Sequence, residues 1–312
     1  MPAYHVERSI TINAPLKEIN DTLRDFRQWP KWSPWLVMEP DAVLTYTDRQ
    51  GQVGATYAWA GHLVGAGSME LIEVHDTCLK MELNFRKPFK SSAIVRFDLA
   101  SSEEGVEVIW KMDGNIPFFM FWMQSRLKAY IGMDYRRGLL MLKEYIETGK
   151  VDSFVHIEGV LPLPEGRYTG IARSCAIEDL SVVMRRDFET LYDFMQENGL
   201  SADRIPFAVY EAFDIPRGTT EYIAAIPLEE EMVLPKRWVI GELPGGKGLK
   251  TMHKGAYEHL GNAWTTAMQF ARYQKIATAK KPVGYEFYPN DPHRTRREEL
   301  VTEIYMPLKE NG

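Results

Sequence analysis

A pattern written twice constrains the second half of this chain more than any other feature. A strand-like run at 168–175 precedes a helix striped by Leu180, Met184, Phe188, Leu191 and Met195, which Asn198-Gly199 stops. Pro206-Phe207-Ala208-Val209-Tyr210-Glu211 follows, then Thr220-Glu221-Tyr222, running on to Pro227-Leu228. The order then repeats. A strand-like run at 250–254 leads to a helix striped by Tyr257, Leu260, Trp264, Ala267 and Ala271. After it come Pro282-Val283-Gly284-Tyr285-Glu286-Phe287-Tyr288 and Thr302-Glu303-Ile304-Tyr305-Met306-Pro307-Leu308. Tyr-Glu after a proline and Thr-Glu before Pro-Leu recur in the same succession. Two copies of strand–helix–strand–strand predict one sheet with both helices on one face. The opposite face is then expected to be a groove along a pseudo-twofold axis, lined from both copies.

The first half carries a different signal. Val6, Ile10 and Ile12 alternate with Glu7, Ser9 and Thr11, a half-buried strand, and Asn13-Ala14-Pro15 opens a short helix striped by Ile19, Leu23 and Phe26. A Trp/Pro-rich turn follows at 29–35. From about 41 to 114 turn signals break the chain into β-sized pieces, an antiparallel meander. The period then becomes helical: Leu127, Ile131, Tyr135, Gly138, Leu142 and Ile146 form one stripe. Such a helix must pack into the concave face of the sheet, and any volume it leaves unfilled is a pocket. The apolar run at 116–123, Ile116 to Met123, reads either as a buried bend feeding the helix or as a lid or docking patch.

At 312 residues the chain has length for two domains, and 45% hydrophobic content lets each bury a core. The expected division is 1–148, a linker at 149–157, and 158–312, in an α+β fold. A net charge of −6 argues against direct nucleic-acid binding, which needs a basic face. Cys78 and Cys175 match no zinc or redox spacing, and no apolar run is long enough to span a bilayer. A cytoplasmic protein with free thiols, no cofactor and no metal is expected; the oligomeric state is left open.

The order of elements in the first half resembles the START-like superfamily, in its polyketide-cyclase type of helix-grip domain. The residues that carry the likeness are Asn13-Ala14-Pro15, the Trp29, Trp32, Trp35 cluster, Gly54-Ala55-Thr56-Tyr57-Ala58-Trp59-Ala60-Gly61, and Gly65 to Leu71. It implies a hydrophobic cavity. In the second half, His253-Lys254-Gly255-Ala256-Tyr257-Glu258-His259-Leu260 and the Tyr285 to Pro292 and Thr302 to Pro307 stretches resemble the GyrI-like small-molecule-binding domain. That domain also serves as the effector-binding part of AraC- and MerR-type multidrug regulators. The resemblance places a ligand-facing acid at Glu286, a second acid at Glu303 and a motif tyrosine at Tyr257; Tyr210, Tyr288 and Tyr305 are further candidate ligand-binding residues. Ala256 stands where the family often has proline.

A carboxylate in an aromatic groove is costly to bury unpaired, and an organic cation would pair with it, helped by tyrosine faces. The partner expected is therefore a hydrophobic or cationic small molecule, sensed or sequestered. Two alternatives remain. Glu286 could serve as acid/base in a hydrolase of reactive small molecules, or the protein could be a non-DNA-binding partner in transcriptional regulation. Other apparent motifs read as structure. Gly241 to Gly248 mimics a phosphate loop but has Gly248 where Ser or Thr is needed, and is expected to be a hairpin turn. His253 and His259, six apart, are expected to be partly exposed and without a metal. Arg294 to Glu299 reads as a charge-balanced loop, and Glu229-Glu230-Glu231 as a solvated turn.

Overall fold

The computed structural model describes residues 2–116, 118–200, 204–228 and 232–309, and the chain divides into two compact units after Val151. The first unit runs β1 (Ala3–Ile12), α1 (Leu16–Arg24), a 3-10 turn (Phe26–Lys31) and α2 (Pro34–Met38). Six strands follow: β2 (Val43–Tyr46), β3 (Thr56–Ala60), β4 (Ala66–His75), β5 (Cys78–Lys87), β6 (Ser91–Ser102) and β7 (Gly105–Asn115). A second 3-10 turn (Phe118–Met123) leads into α3 (Gln124–Thr148). All seven strands pair antiparallel in the order β1-β7-β6-β5-β4-β3-β2. The α3 helix stops at Gly149, whose left-handed backbone lets its N–H reach the Tyr145 carbonyl.

The stripe on α3 packs on the sheet as its spacing predicts, with Tyr135, Gly138 and Leu142 buried. Gln124 donates to the Ala3 carbonyl and Lys143 to that of Thr11, so the helix runs parallel with β1. The concavity is occupied by rings of the unit itself. Trp29 and Trp32 are fully buried, and Trp110 stacks on Tyr135 at 4.0 Å. The 29–35 segment is helical rather than a bare turn, anchored by Trp29 Nε1 donating to the Leu23 carbonyl. In the 116–123 run, Ile116 is buried while Phe121 and Trp122 are 59% and 63% exposed. The run is therefore not the uniformly buried bend of the first reading. Pro117 and the side chains at 118–120 lie outside the described residues.

The second unit comprises β8 (Ser153–Pro162), β9 (Glu165–Ala176), α4 (Leu180–Glu197), β10 (Phe207–Asp214), β11 (Thr219–Pro227) and β12 (Val239–Pro244). It continues with β13 (Lys247–Gly255), a 3-10 turn (Tyr257–His259), α5 (Leu260–Tyr273), β14 (Gly284–Phe287) and β15 (Val301–Pro307). Residues 153–157, expected in a linker, belong to β8. Its burial alternates at every residue, the mark of an edge strand covered on one side. The sheet order β12-β9-β11-β10-β14-β15-β13-β8 places the two copies on either side of the β10–β14 pair.

Across that pair Ala208 faces Glu286 and Tyr210 faces Gly284. Counted from Pro206 and Pro282, Tyr210 therefore takes the place of Glu286, not of Tyr285. The Tyr210-Glu211 dipeptide stands one position further from its proline than Tyr285-Glu286 does, and a bulge follows in β10 between Tyr210 and Ala212.

Gly245 and Gly246, with φ of +70° and +84°, make the turn between β12 and β13, but these strands do not form the expected hairpin. One pairs with β9 and the other with β15 and β8. The Leu163 N–H bonds the Gly246 carbonyl, drawing the β8–β9 and β12–β13 turns together. The face away from the helices is consequently filled rather than left as a groove. Phe207 stacks on Phe287 at 5.0 Å, and Tyr168, Tyr285 and Tyr305 join them in one buried cluster.

Candidate functional site

Side chains two apart on a strand share a face, and neighbours point oppositely. In β14 this sends Glu286 to the helix side and Tyr285 and Phe287 to the other. Tyr288, two residues on, joins Glu286, and Tyr210 comes from β10. Trp264 enters from α5. It comes this close because its neighbour on the sheet is Gly284, where a Cβ would lie 2.7 Å from the indole.

Glu286 is 1% exposed. One carboxylate oxygen accepts from the Trp264 indole N–H. The other accepts from the hydroxyls of Tyr210 at 3.0 Å and Tyr288 at 2.5 Å. Burial raises its pKa, and the three hydrogen bonds pull the other way without cancelling it; no cation enters the balance. Burial, reinforced by the Glu286 charge, also pushes the Tyr210 and Tyr288 hydroxyls well above their ordinary value. Both hydroxyls also reach the Met184 sulfur, at 3.9 and 3.5 Å, so a flexible thioether from α4 lies against the polar end. Phe188 meets Tyr288 edge-on at 5.2 Å, and Tyr257, in the 3-10 turn before α5, does so at 5.7 Å.

A second buried carboxylate lies along the same helix as Met184. Asp187 is gripped by both Nε and Nη2 of Arg173, at 2.8–3.1 Å, and accepts from the Tyr222 hydroxyl at 2.8 Å. Its charge is met by an internal cation. Near the Tyr257 side, a pocket of about 300 Å³ is lined by Glu189, Tyr192, Asp193, Gln196, Asp291 and His293. Burial raises the Tyr257 pKa first, and the charges of Tyr192, Glu286 and Asp291 add to it, so Tyr257 stands within electrostatic reach of both the pocket and the buried acid.

Of the six residues read as one site, Glu286, Tyr210, Tyr257 and Tyr288 come together. Glu303 and Tyr305 do not. They occupy odd positions of β15 whose even neighbours Thr302 and Ile304 face the helices, so the strand's alternation turns them to the other side. There Lys250 donates to Glu303 at 2.8 Å, pairs with Glu158 at 3.2 Å and sits over the Tyr305 ring. The two acids thus have separate environments. Trp264 and Met184 were legible only as helix-stripe positions, and Asp187 was not singled out. Asp187 had one signal, a charge set between Met184 and Leu191 on an apolar stripe.

His253 and His259 are buried, not partly exposed. Burial lowers His253 to about 4, aided by His259, and its Nε2 lies 3.1 Å from Ser153 Oγ. Among the described residues no group of His, Cys, Asp or Glu could hold a metal ion. Cys78 and Cys175 are free thiols, and no described helix is long and apolar enough to cross a membrane. Arg296 pairs with Glu299 and Glu298 within the expected charge-balanced loop, while Arg297 reaches out of it to Glu258 in the Tyr257–His259 turn. Glu229-Glu230-Glu231 lies outside the described residues.

Residues 160–309 match the family described as GyrI-like small molecule binding domain, and residues 3–147 that described as polyketide cyclase / dehydrase and lipid transport. Among curated proteins no sequence matches. Solved structures similar to this chain include protein CV1439 from Chromobacterium violaceum, 15% identical over 46% of this chain and 96% of that one, with a TM-score of 0.36. Protein MLL2253 from Mesorhizobium loti is 16% identical over 47% and 100%, with a TM-score of 0.37. The Aha1 dimer from Colwellia psychrerythraea is 16% identical over 47% and 98%, with a TM-score of 0.35.

Proposed function

We propose a function for a chain that belongs over residues 3–147 to the polyketide cyclase / dehydrase and lipid transport family and over 160–309 to the GyrI-like small molecule binding family: its second unit senses or sequesters hydrophobic organic cations, with Glu286 as the counter-ion. Both families support small-molecule binding in general. The observation that carries the cationic reading is the contrast between two buried acids. Asp187 has Arg173, whereas among the described residues Glu286 has three neutral donors and no cation. Hydrogen bonds satisfy its lone pairs but leave the ionised form uncompensated in a low-dielectric, aromatic setting, and a cationic guest would stabilise that form. Tyr288, Tyr210 and Trp264 supply π-faces, each worth about 0.5–2 kcal/mol to a desolvated cation. The acids Glu189, Asp193 and Asp291 around the nearby pocket favour cations over anions on approach. A guest reaches the carboxylate by displacing the Met184 side chain, which has rotatable bonds to yield.

Isothermal titration with tetraphenylphosphonium and with tetraphenylborate, matched in shape and opposite in charge, tests this. The cation is expected to bind and the anion not to. Glu286→Gln keeps the size, lets its amide oxygen accept from Trp264 and its NH2 donate to the two phenol oxygens, and should weaken the cation about tenfold or more, the ~1.5–3 kcal/mol of a charge-assisted contact. Equal affinity in wild type and variant would remove Glu286 from the site.

A further inference from the structure

The first unit collects exposed aromatic and basic residues at one end. Ala3 pairs with Asn115, Gly114 with Ala93, and Ser91 with Phe85. The start of β1, the exit of β7 and the β5–β6 tip therefore lie side by side, about 14 Å across at ~4.8 Å per strand. Gln124 bonds the Ala3 carbonyl, which puts the beginning of α3 and the turn before it at the same end. On the tip, Phe89 is 68% exposed, and on the helix side Phe121, Trp122 and Tyr130 are 59%, 63% and 54% exposed. Around these rings stand Arg86, Lys87, Lys90, Arg126 and Lys128, all exposed. The stretches 83–97 and 114–133 contain no Asp or Glu, in a chain of net charge −6. Among the described residues none of these five cations meets a carboxylate.

We propose that this end of the first unit docks on an anionic lipid surface. Large exposed rings are unusual on a soluble domain unless they meet a partner. Tryptophan and tyrosine suit the membrane interface, being apolar with a polar edge. The local charge is opposite to that of the whole protein and complementary to acidic headgroups, each basic residue contributing about a fivefold factor in partitioning. A protein partner would be matched by the rings alone. The basic surround, opposite in sign to the whole chain and with its neighbouring acid Asp113 held by His5, singles out the lipid, whose charge is diffuse and whose interior accepts the rings to a shallow depth.

Co-sedimentation of the full chain with vesicles tests the inference. With equal parts phosphatidylglycerol and phosphatidylcholine the protein should pellet, and with phosphatidylcholine alone it should remain in solution. Lys87→Glu with Lys90→Glu should lower the bound fraction about tenfold or more, as should Phe89→Ser with Trp122→Ser, at unchanged melting temperature. Because the wild type carries the main result, a variant that misfolds does not decide the outcome: raising salt to roughly 1 M should release the wild type by screening alone. No pelleting of the wild type on anionic vesicles, equal pelleting on neutral ones, or retention by an acidic protein but not by vesicles would overturn the proposal.

Discussion

Glu286 and Glu303 are both glutamates on short strands of the same sheet, yet they are in different chemical situations because of parity. Glu303 points to a lysine that is itself held by two acids. Glu286 points to an indole and two phenols with nothing to neutralise it. A free glutamate titrates near 4.5, and burial raises that of Glu286. The folded state thus holds its proton more tightly than the unfolded chain, and stability falls as pH rises above the ordinary carboxylate range. Glu286→Gln removes the penalty and should melt higher than wild type at neutral pH, the difference closing as pH falls towards 4.5. Differential scanning fluorimetry across that range checks this, and parallel pH profiles would contradict it. Such a gain on removing Glu286 is what the proposed binding role predicts, since functional sites commonly trade stability for activity. The resemblance singled out Glu286 and Tyr257, and Tyr210 and Tyr288 were candidates beside them, but the Trp264 donor and the Asp187–Arg173 pair were not legible, since a helix stripe says which residues are buried and not which polar atom each one meets.

At the scale of elements, periodicity located the strands and helices well wherever one face is buried. It failed where partners lie outside the local stretch. Residues 153–157 carry modest alternation, and only pairing with β13 makes them a strand. The Gly245-Gly246 turn is correctly a turn, but nothing local says that its two strands pair with different neighbours. The helix of the first unit shows how tightly an element can be specified. Gly138 sits on the α3 stripe where a Cβ would lie 2.7 Å from Trp110 and 3.0 Å from Pro34. Gly138→Ala should therefore lower the melting temperature, overpacking costing about 1–3 kcal/mol against a helix-propensity gain of at most ~1 kcal/mol. A stabilised variant would mean that α3 can lift off the sheet without loss.

At the scale of the whole molecule, each unit has its own sheet, its own helices and its own buried cluster. Expressed separately, residues 1–151 and 152–312 should each melt cooperatively; a fragment that stays unfolded would show that its core depends on the other. The sequence by itself determined the duplicated plan of the second unit, the strand-then-helix plan of the first, and the family of each, because alternation, stripes and motif order are local and survive without neighbours. Only the tertiary structure decided which side of the second sheet holds the acid, that the face away from the helices is filled, and that one buried carboxylate has a cation while the other has none. Those outcomes depend on the parity of β14 within the sheet, on which turns meet, and on what the facing helices carry. No stretch of chain encodes them alone.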